Sequence, residues 1–345
     1  MLEKPTLGDV IRSLSTRGQF DPIKMPAVST LLKKPDDGRA TPLYVQGLAG
    51  FGAWIAAVCF IGFLVVAGGW HERAFFIEGL VMIGVATGLR RMSSRIFPSQ
   101  FALALSMAGH AFALYGAGRN ASGMLPVMAT ATILCLALYP LYRDPAHRFL
   151  SCMTALGAAA SWLYGDGSRS GLHVLLALEA LGIGLLFLRK GLRPALRPMA
   201  FALAVSLPLL VAGLGSHELR LDGATWPANA VLASGLLALL VSVAGRSNLR
   251  REPVVLALGA TLLLATFTAP GLLAAIGLLV LGYHRRERLL VGLGVIAFAG
   301  FLWDFYYSLQ MDLGTKSALL MASGALLLAA QWILSRRPWA RKEAA

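Results

Sequence analysis

Charge is what this sequence has least of. Only 14% of its 345 residues are charged, and acids are the scarcer sign, with 17 Asp and Glu against 31 Lys and Arg. Soluble chains carry about 25% charged residues, so these residues cannot cover the surface of a soluble enzyme of this length. Cysteine is nearly absent too. Cys59, Cys135 and Cys152 all fall inside apolar runs; they supply no disulfide framework and read as packing residues, because free cysteine behaves as a small hydrophobe. The familiar enzyme signatures are missing: there is no H-E-x-x-H, no G-x-S-x-G, no P-loop and no Cys-x-x-Cys. Six scattered histidines provide no ligand cluster, so neither a metal nor a cofactor is expected.

What is there is grease. Hydrophobic residues make up 57% of the chain, and the mean hydropathy is +0.67. A window of about 19 residues finds twelve apolar runs, at 45–69, 74–89, 97–118, 121–142, 149–165, 171–188, 197–215, 226–245, 253–269, 270–283, 289–310 and 317–335. The expected fold is therefore all-α: a polytopic transmembrane bundle of about twelve spans over residues 43–335, behind an N-terminal segment of residues 1–42 and before a basic tail of residues 336–345. Only Ala269, Pro270 and Gly271 separate the ninth and tenth runs, and the tenth is short for a crossing.

The basic residues decide between two short spans there and one kinked segment. With twelve spans, 26 of the 31 Lys and Arg fall on the side of the chain termini; Arg73, Arg119, Arg169, Arg220 and Lys316 fall on the other. Basic residues resist translocation, so both termini are expected in the cytoplasm and a tight turn at Pro270. Spread in short clusters between apolar runs, the net charge of +14 suits anionic lipid headgroups and not nucleic acid. The first apolar run lies behind a polar, basic stretch, which reads as a retained first span. Within that leader, Leu7, Val10, Ile11 and Leu14 make one face of a short amphipathic helix over Thr6–Leu14.

Small residues and aromatics follow the same scheme. Gly84 and Gly88 form a G-x-x-x-G face on the second span, and Gly47, Gly50 and Gly52 thin the start of the first. Trp70, Trp162, Trp226, Trp303, Tyr306 and Tyr307 fall near the non-cytoplasmic span ends, as an interfacial belt does. Phe101–Ser106 reads FALALS and Phe201–Ser206 reads FALAVS, each three residues after a proline, Pro98 or Pro198. That spacing suggests a duplicated four-span unit, although composition alone also produces matches of this length.

An ionisable side chain in mid-membrane costs roughly 2.5–3.5 kcal/mol on insertion scales, so it is kept only when paired, hydrated or used. Three acids fall inside spans: Glu78, Glu179 and Asp304, with His110 one turn after Ser106. Glu78, His110 and Asp304 are expected in the non-cytoplasmic half, where they would form a polar cavity handling protons or a cation. The structural alternatives are an Asp304–Lys316 ion pair across the last hairpin, a Glu78 that reaches water, a hydrogen-bonded His110–Ser106 contact, and a neutral Glu179 bonded to a neighbouring helix. Glu179 lies deepest and has no partner in its own span.

Two stretches resemble a known family. They are Thr41–Trp54, TPLYVQGLAGFGAW, with the IAAVCFIGFL that follows, and the chain from Leu281 onward. The shared features are the Gly282–Tyr283 turn with basic neighbours, the Phe305–Tyr306–Tyr307 run with Ser308 and Leu309, and Lys316–Ser317 at the start of the last span. The sequence departs at Leu43, where an aromatic residue is expected before Tyr44. In these features it is similar to the bacterial membrane proteins grouped as domain of unknown function 4401. The resemblance implies a polytopic protein of the bacterial cytoplasmic (inner) membrane. It also implies a second, small membrane protein carrying a G-D-Y-x-x-L-x-Y motif as partner, and Tyr306, Tyr307 and Lys316 as positions of interest.

Three functions are compatible with these residues. The first is a non-enzymatic component of an envelope assembly that docks a partner through the outer aromatic hairpin. The second is a proton- or cation-coupled transporter using Glu179, and the third an enzyme acting on a lipid-linked substrate at the outer leaflet.

Overall fold

The computed structural model describes residues 43–68, 74–93, 95–121, 123–165, 168–189, 191–214, 226–245, 248–267 and 270–308, with eight further residues between 314 and 328. The N-terminal amphipathic helix, Lys316 and the basic tail lie outside the described residues. Everything regular among those described is helical. The helices are α1 (Leu43–Gly68), α2 (Phe75–Met92), α3 (Ile96–Asn120), α4 (Leu125–Leu141), α5 (Pro145–Gly165), α6 (Arg169–Leu188), α7 (Arg197–Leu214), α8 (Trp226–Ala244), α9 (Glu252–Phe267), α10 (Pro270–Arg285) and α11 (Arg288–Ser308).

Local chemistry sets the ends. α9 and α10 are separate helices because Pro270 lacks the N–H that would continue α9, and its ring suits the first helical position. Gly245 closes α8 at φ +76, with its N–H donating to the Val241 carbonyl, the left-handed stop that glycine adopts without strain. Five described helices are long and apolar enough to cross a membrane: α3, α6, α7, α8 and α11. Large hydrophobics such as Phe51, Val58, Leu136, Leu263 and Ile296 face outward; a soluble protein rarely leaves so much apolar surface uncovered, whereas hydrocarbon covers it. This is a helical membrane protein.

α2 and α3 approach closely through Gly79, Gly109 and Gly116. A methyl on Gly79 would stand 2.6 Å from the Gly109 carbonyl oxygen and nearer still to the Ala113 amide. The glycines expected to do this, Gly84 and Gly88, have open space where a Cβ would go. They sit on a face of α2 turned away from α3, which spacing alone could not distinguish. Beyond α3 the chain passes through α4 to α5, and α7 forms the hub of the second half, packed against α5, α6, α10 and α11. The main core cluster is drawn from α6, α7, α8 and α10, with Leu290 of α11.

One end of the bundle is basic. Arg90 pairs with Asp144 at 3.2 Å, Arg197 with both oxygens of Glu287 at 2.8 and 2.9 Å, and Arg285 donates to the Arg189 carbonyl at 3.0 Å. The first contact joins the end of α2 to the α4–α5 connection, the others join the α6–α7 and α10–α11 connections, and the Tyr139 hydroxyl, donating to the Ala195 carbonyl at 2.6 Å, links the two sets. The Gly282–Tyr283 pair, expected at a turn, lies inside the last turns of α10, which continues to Arg285; a Cβ on Gly282 would meet the Val291 amide of α11 at 2.8 Å, so the glycine serves close helix packing. Arg286 turns the chain at φ 55.

Candidate functional site

The four polar residues expected inside spans do not converge. Glu78 stands exposed in the first turn of α2, and Asp304 is exposed near the far end of α11. His110 is buried between α3 and α5, and Glu179 is buried on α6 against α7. At the end of α11, Trp303 and Tyr307 face outward at 67% and 59% exposure. Their rings are 4.6 Å apart, with Tyr306 edge-on to Tyr307 at 5.3 Å.

His110 belongs to a closed polar ring. Its Nδ1 lies 2.8 Å from the Ser106 carbonyl. A carbonyl can only accept, so this nitrogen carries the proton and Nε2 is left to accept. The Ser151 hydroxyl, 3.5 Å away, donates to Nε2; His147 Nδ1 donates to Ser151 Oγ at 3.3 Å; the Ser106 hydroxyl donates to His147 Nε2 at 2.9 Å. Two neutral imidazoles and two serines thus satisfy one another in a single direction around the ring. Such a ring needs no ligand. It pins α3 to α5, whose backbones otherwise barely meet. Tyr142 stacks on His147 with centroids 4.0 Å apart. Outside the helices, burial pushes its phenol up to about 12, the Asp144 carboxylate adds to the rise and Arg90 opposes it. Sequence alone does not single out His147 and Ser151, because each lies near the start of its helix, where a polar residue needs no explanation.

Opening that ring has a measurable cost. His147→Ala leaves two buried serine hydroxyls short of a partner at about 1–3 kcal/mol each, and adds a cavity. The expected result is a thermal unfolding midpoint in detergent well below that of wild type. An unchanged midpoint would show that the ring is not a structural pin.

Glu179 is different because it is incomplete. It is 1% exposed, the Ser206 hydroxyl donates to Oε1 at 2.7 Å, and Oε2 is buried with no partner among the described residues. A carboxyl oxygen left bare in a protein interior calls for a proton relay, a water or a cation. Ser206 is the last residue of FALAVS and Ser106 the last of FALALS, and each serine bonds a buried ionisable side chain from another helix. Two residues after Ser206, Pro208 lies inside the continuous helix α7. It cannot donate to the Ala204 carbonyl, which loosens the turn beside the contact.

Two cavities flank this pair. One, of about 320 Å³, is walled by α5, α6 and α7; Ser206 lies at its inner end, and it runs through Gly157, Ser161 and Leu210 to Tyr164 and Leu214 at the end away from the arginines. The other, of about 670 Å³, lies between α6, α8 and α10. It includes Ala180, Ile183 and Leu207 beside the pair and runs to Leu188 and Arg189 at the basic end. Adjacent residues of α7, Ser206 and Leu207, therefore line different cavities, and Glu179, which lines neither, is bonded to Ser206 between them. Both are mostly apolar, and both have the size of small-molecule sites.

The family described as domain of unknown function (DUF4401) matches residues 42–337, and the chain belongs to it. No curated protein matches the chain, and no solved structure does.

Proposed function

Starting from membership in a family without an assigned activity, we propose that the protein is a proton-coupled carrier of a small, largely apolar solute, with Glu179 as the group that exchanges the proton. The observation that carries this reading is the half-satisfied, buried Glu179 carboxyl, bonded to Ser206 between two separate cavities. The basic end faces the cytoplasm of a bacterial inner membrane, as the arginine distribution favours, and about twelve spans place both termini there. Protonation neutralises Glu179 and lets its Oε2 donate; loss of the proton leaves a charge that the apolar interior does not tolerate. Each change favours a different arrangement of α6 against α7, and the loose turn at Pro208 supplies the joint.

The test uses purified protein in proteoliposomes loaded with a pH-sensitive dye, with infrared difference spectra recorded across a pH titration. Wild type is expected to move protons under an imposed gradient and to show a carboxyl C=O band that comes and goes with pH. Glu179→Gln loses both, and Glu179→Asp keeps part of each. Proton movement and a carboxyl band that are the same in Glu179→Gln as in wild type would end this reading.

A second reading rests on the outward-facing Trp303 and Tyr307. Aromatic side chains of this kind anchor protein contacts, which supports docking of a small membrane partner at the outer end of α11. Trp303→Ala with Tyr307→Ala would release a co-purifying partner while leaving Glu179-dependent proton movement intact.

A further inference from the structure

Cys135 on α4 and Cys152 on α5 face one another with their sulfurs 3.7 Å apart, and proton exchange at Glu179 makes no use of them. Each sits one helical turn from a polar neighbour, Tyr139 on α4 and Arg148 on α5. The Arg148 guanidinium stands 4.9 Å from the centre of the Tyr139 ring, and its Nε donates to the Tyr139 carbonyl at 2.7 Å. Two thiols and a fixed cation therefore share one interhelical seam. Cys152 is buried and Cys135 half-buried, whereas Cys59 is exposed elsewhere.

We propose that Cys135 and Cys152 form a binding site for monovalent copper, held as a two-coordinate dithiolate beside Arg148. Coordination number argues for this ion. Among the described residues no group of three or more His, Cys, Asp or Glu could hold a metal, so a four-ligand zinc site is not available. Thiolates are soft donors that suit Cu(I), zinc and iron–sulfur clusters, and of these Cu(I) is the one that two thiolates suffice to hold. Charge argues the same way. Binding releases both thiol protons, two thiolates and one Cu(I) sum to a single negative charge, and Arg148, one helical turn from Cys152 on α5, supplies a positive charge on the same seam where an isolated charge is costly. Distance separates the site from a disulfide. Metal–thiolate bonds of about 2.3 Å, as zinc makes them, put the two sulfurs about 4.6 Å apart when opposed, so the 3.7 Å gap opens by about 1 Å. A disulfide needs the sulfurs at about 2.05 Å, a larger movement of two helices against each other.

The test is anaerobic titration of the full chain in detergent with Cu(I) supplied as its coloured bicinchoninate complex, followed by maleimide labelling of the remaining thiols. Wild type is expected to withdraw one copper per chain, and copper is expected to protect two of the three cysteines. Cys59→Ser retains the site; Cys135→Ser and Cys152→Ser each weaken binding at least tenfold. The proposal fails if wild type withdraws no copper, if all three thiols still react with copper present, if Cys135→Ser binds as wild type does, or if the two sulfurs form a disulfide in preference to taking copper. The protection pattern is read on wild type, so poor folding of a variant does not obscure the answer.

Discussion

Glu179→Leu is expected to raise thermal stability while abolishing proton-coupled transport. The wild-type side chain is buried with one oxygen bonded to Ser206 and the other bare. Leucine has a similar volume, carries no polar atom and leaves only the Ser206 hydroxyl to be satisfied, which a carbonyl one turn earlier on α7 can do. Removing a bare buried polar atom is worth about 1–3 kcal/mol, and replacing buried ionic groups by well-packed apolar ones often stabilises. Proton movement in proteoliposomes should meanwhile fall at least tenfold. Opposite signs in the two measurements mark a residue kept for function at a cost in stability. A fall in both would make Glu179 a structural residue. A rise in stability with transport intact would move the proton path elsewhere. Ser206→Ala, which leaves both oxygens bare, should destabilise by about 1–3 kcal/mol.

Gly79→Val should separate α2 from α3 and lower the unfolding midpoint further than Ser206→Ala does. The atoms met by a new Cβ are the Gly109 oxygen at 2.6 Å, the Ala113 Cα at 2.9 Å and the Ala113 amide. All are backbone, so no rotamer change relieves the clash and the helices must move apart. Overpacking of a tight core typically costs about 1–3 kcal/mol, and a branched side chain against backbone belongs at or above the upper end. Gly84→Ala is the control, since a Cβ there meets nothing within 4 Å; it should be neutral or stabilise by up to about 1 kcal/mol through helix propensity. Equal effects at Gly79 and Gly84 would refute the assigned packing face.

Much of this architecture is legible one residue at a time. The run expected at 197–215 is α7 at Arg197–Leu214, and that at 226–245 is α8 at Trp226–Ala244. The division at Pro270 follows from a missing amide proton. Glu179 stands out for the same reason: the cost of a carboxyl in hydrocarbon depends on depth along its own helix, which is a local quantity. The histidine ring is only half legible. His110 and Ser106 share a helix and are paired by spacing, but His147 and Ser151 lie 41 residues from the groups they bond.

The amino-acid order by itself determined that the chain is helical and, to within a few residues, where most of the described helices lie. Apolar run length, proline and glycine act over a few neighbouring positions, so no partner helix is needed to read them. Only the tertiary structure decided that Gly79 and not Gly84 faces α3, that Ser206 meets Glu179, and that this pair lies between two cavities. Each of those depends on how a helix is rotated about its axis against its neighbours. That rotation is fixed by packing of the whole bundle, because inside a membrane every face of an apolar helix is equally soluble until another helix covers it.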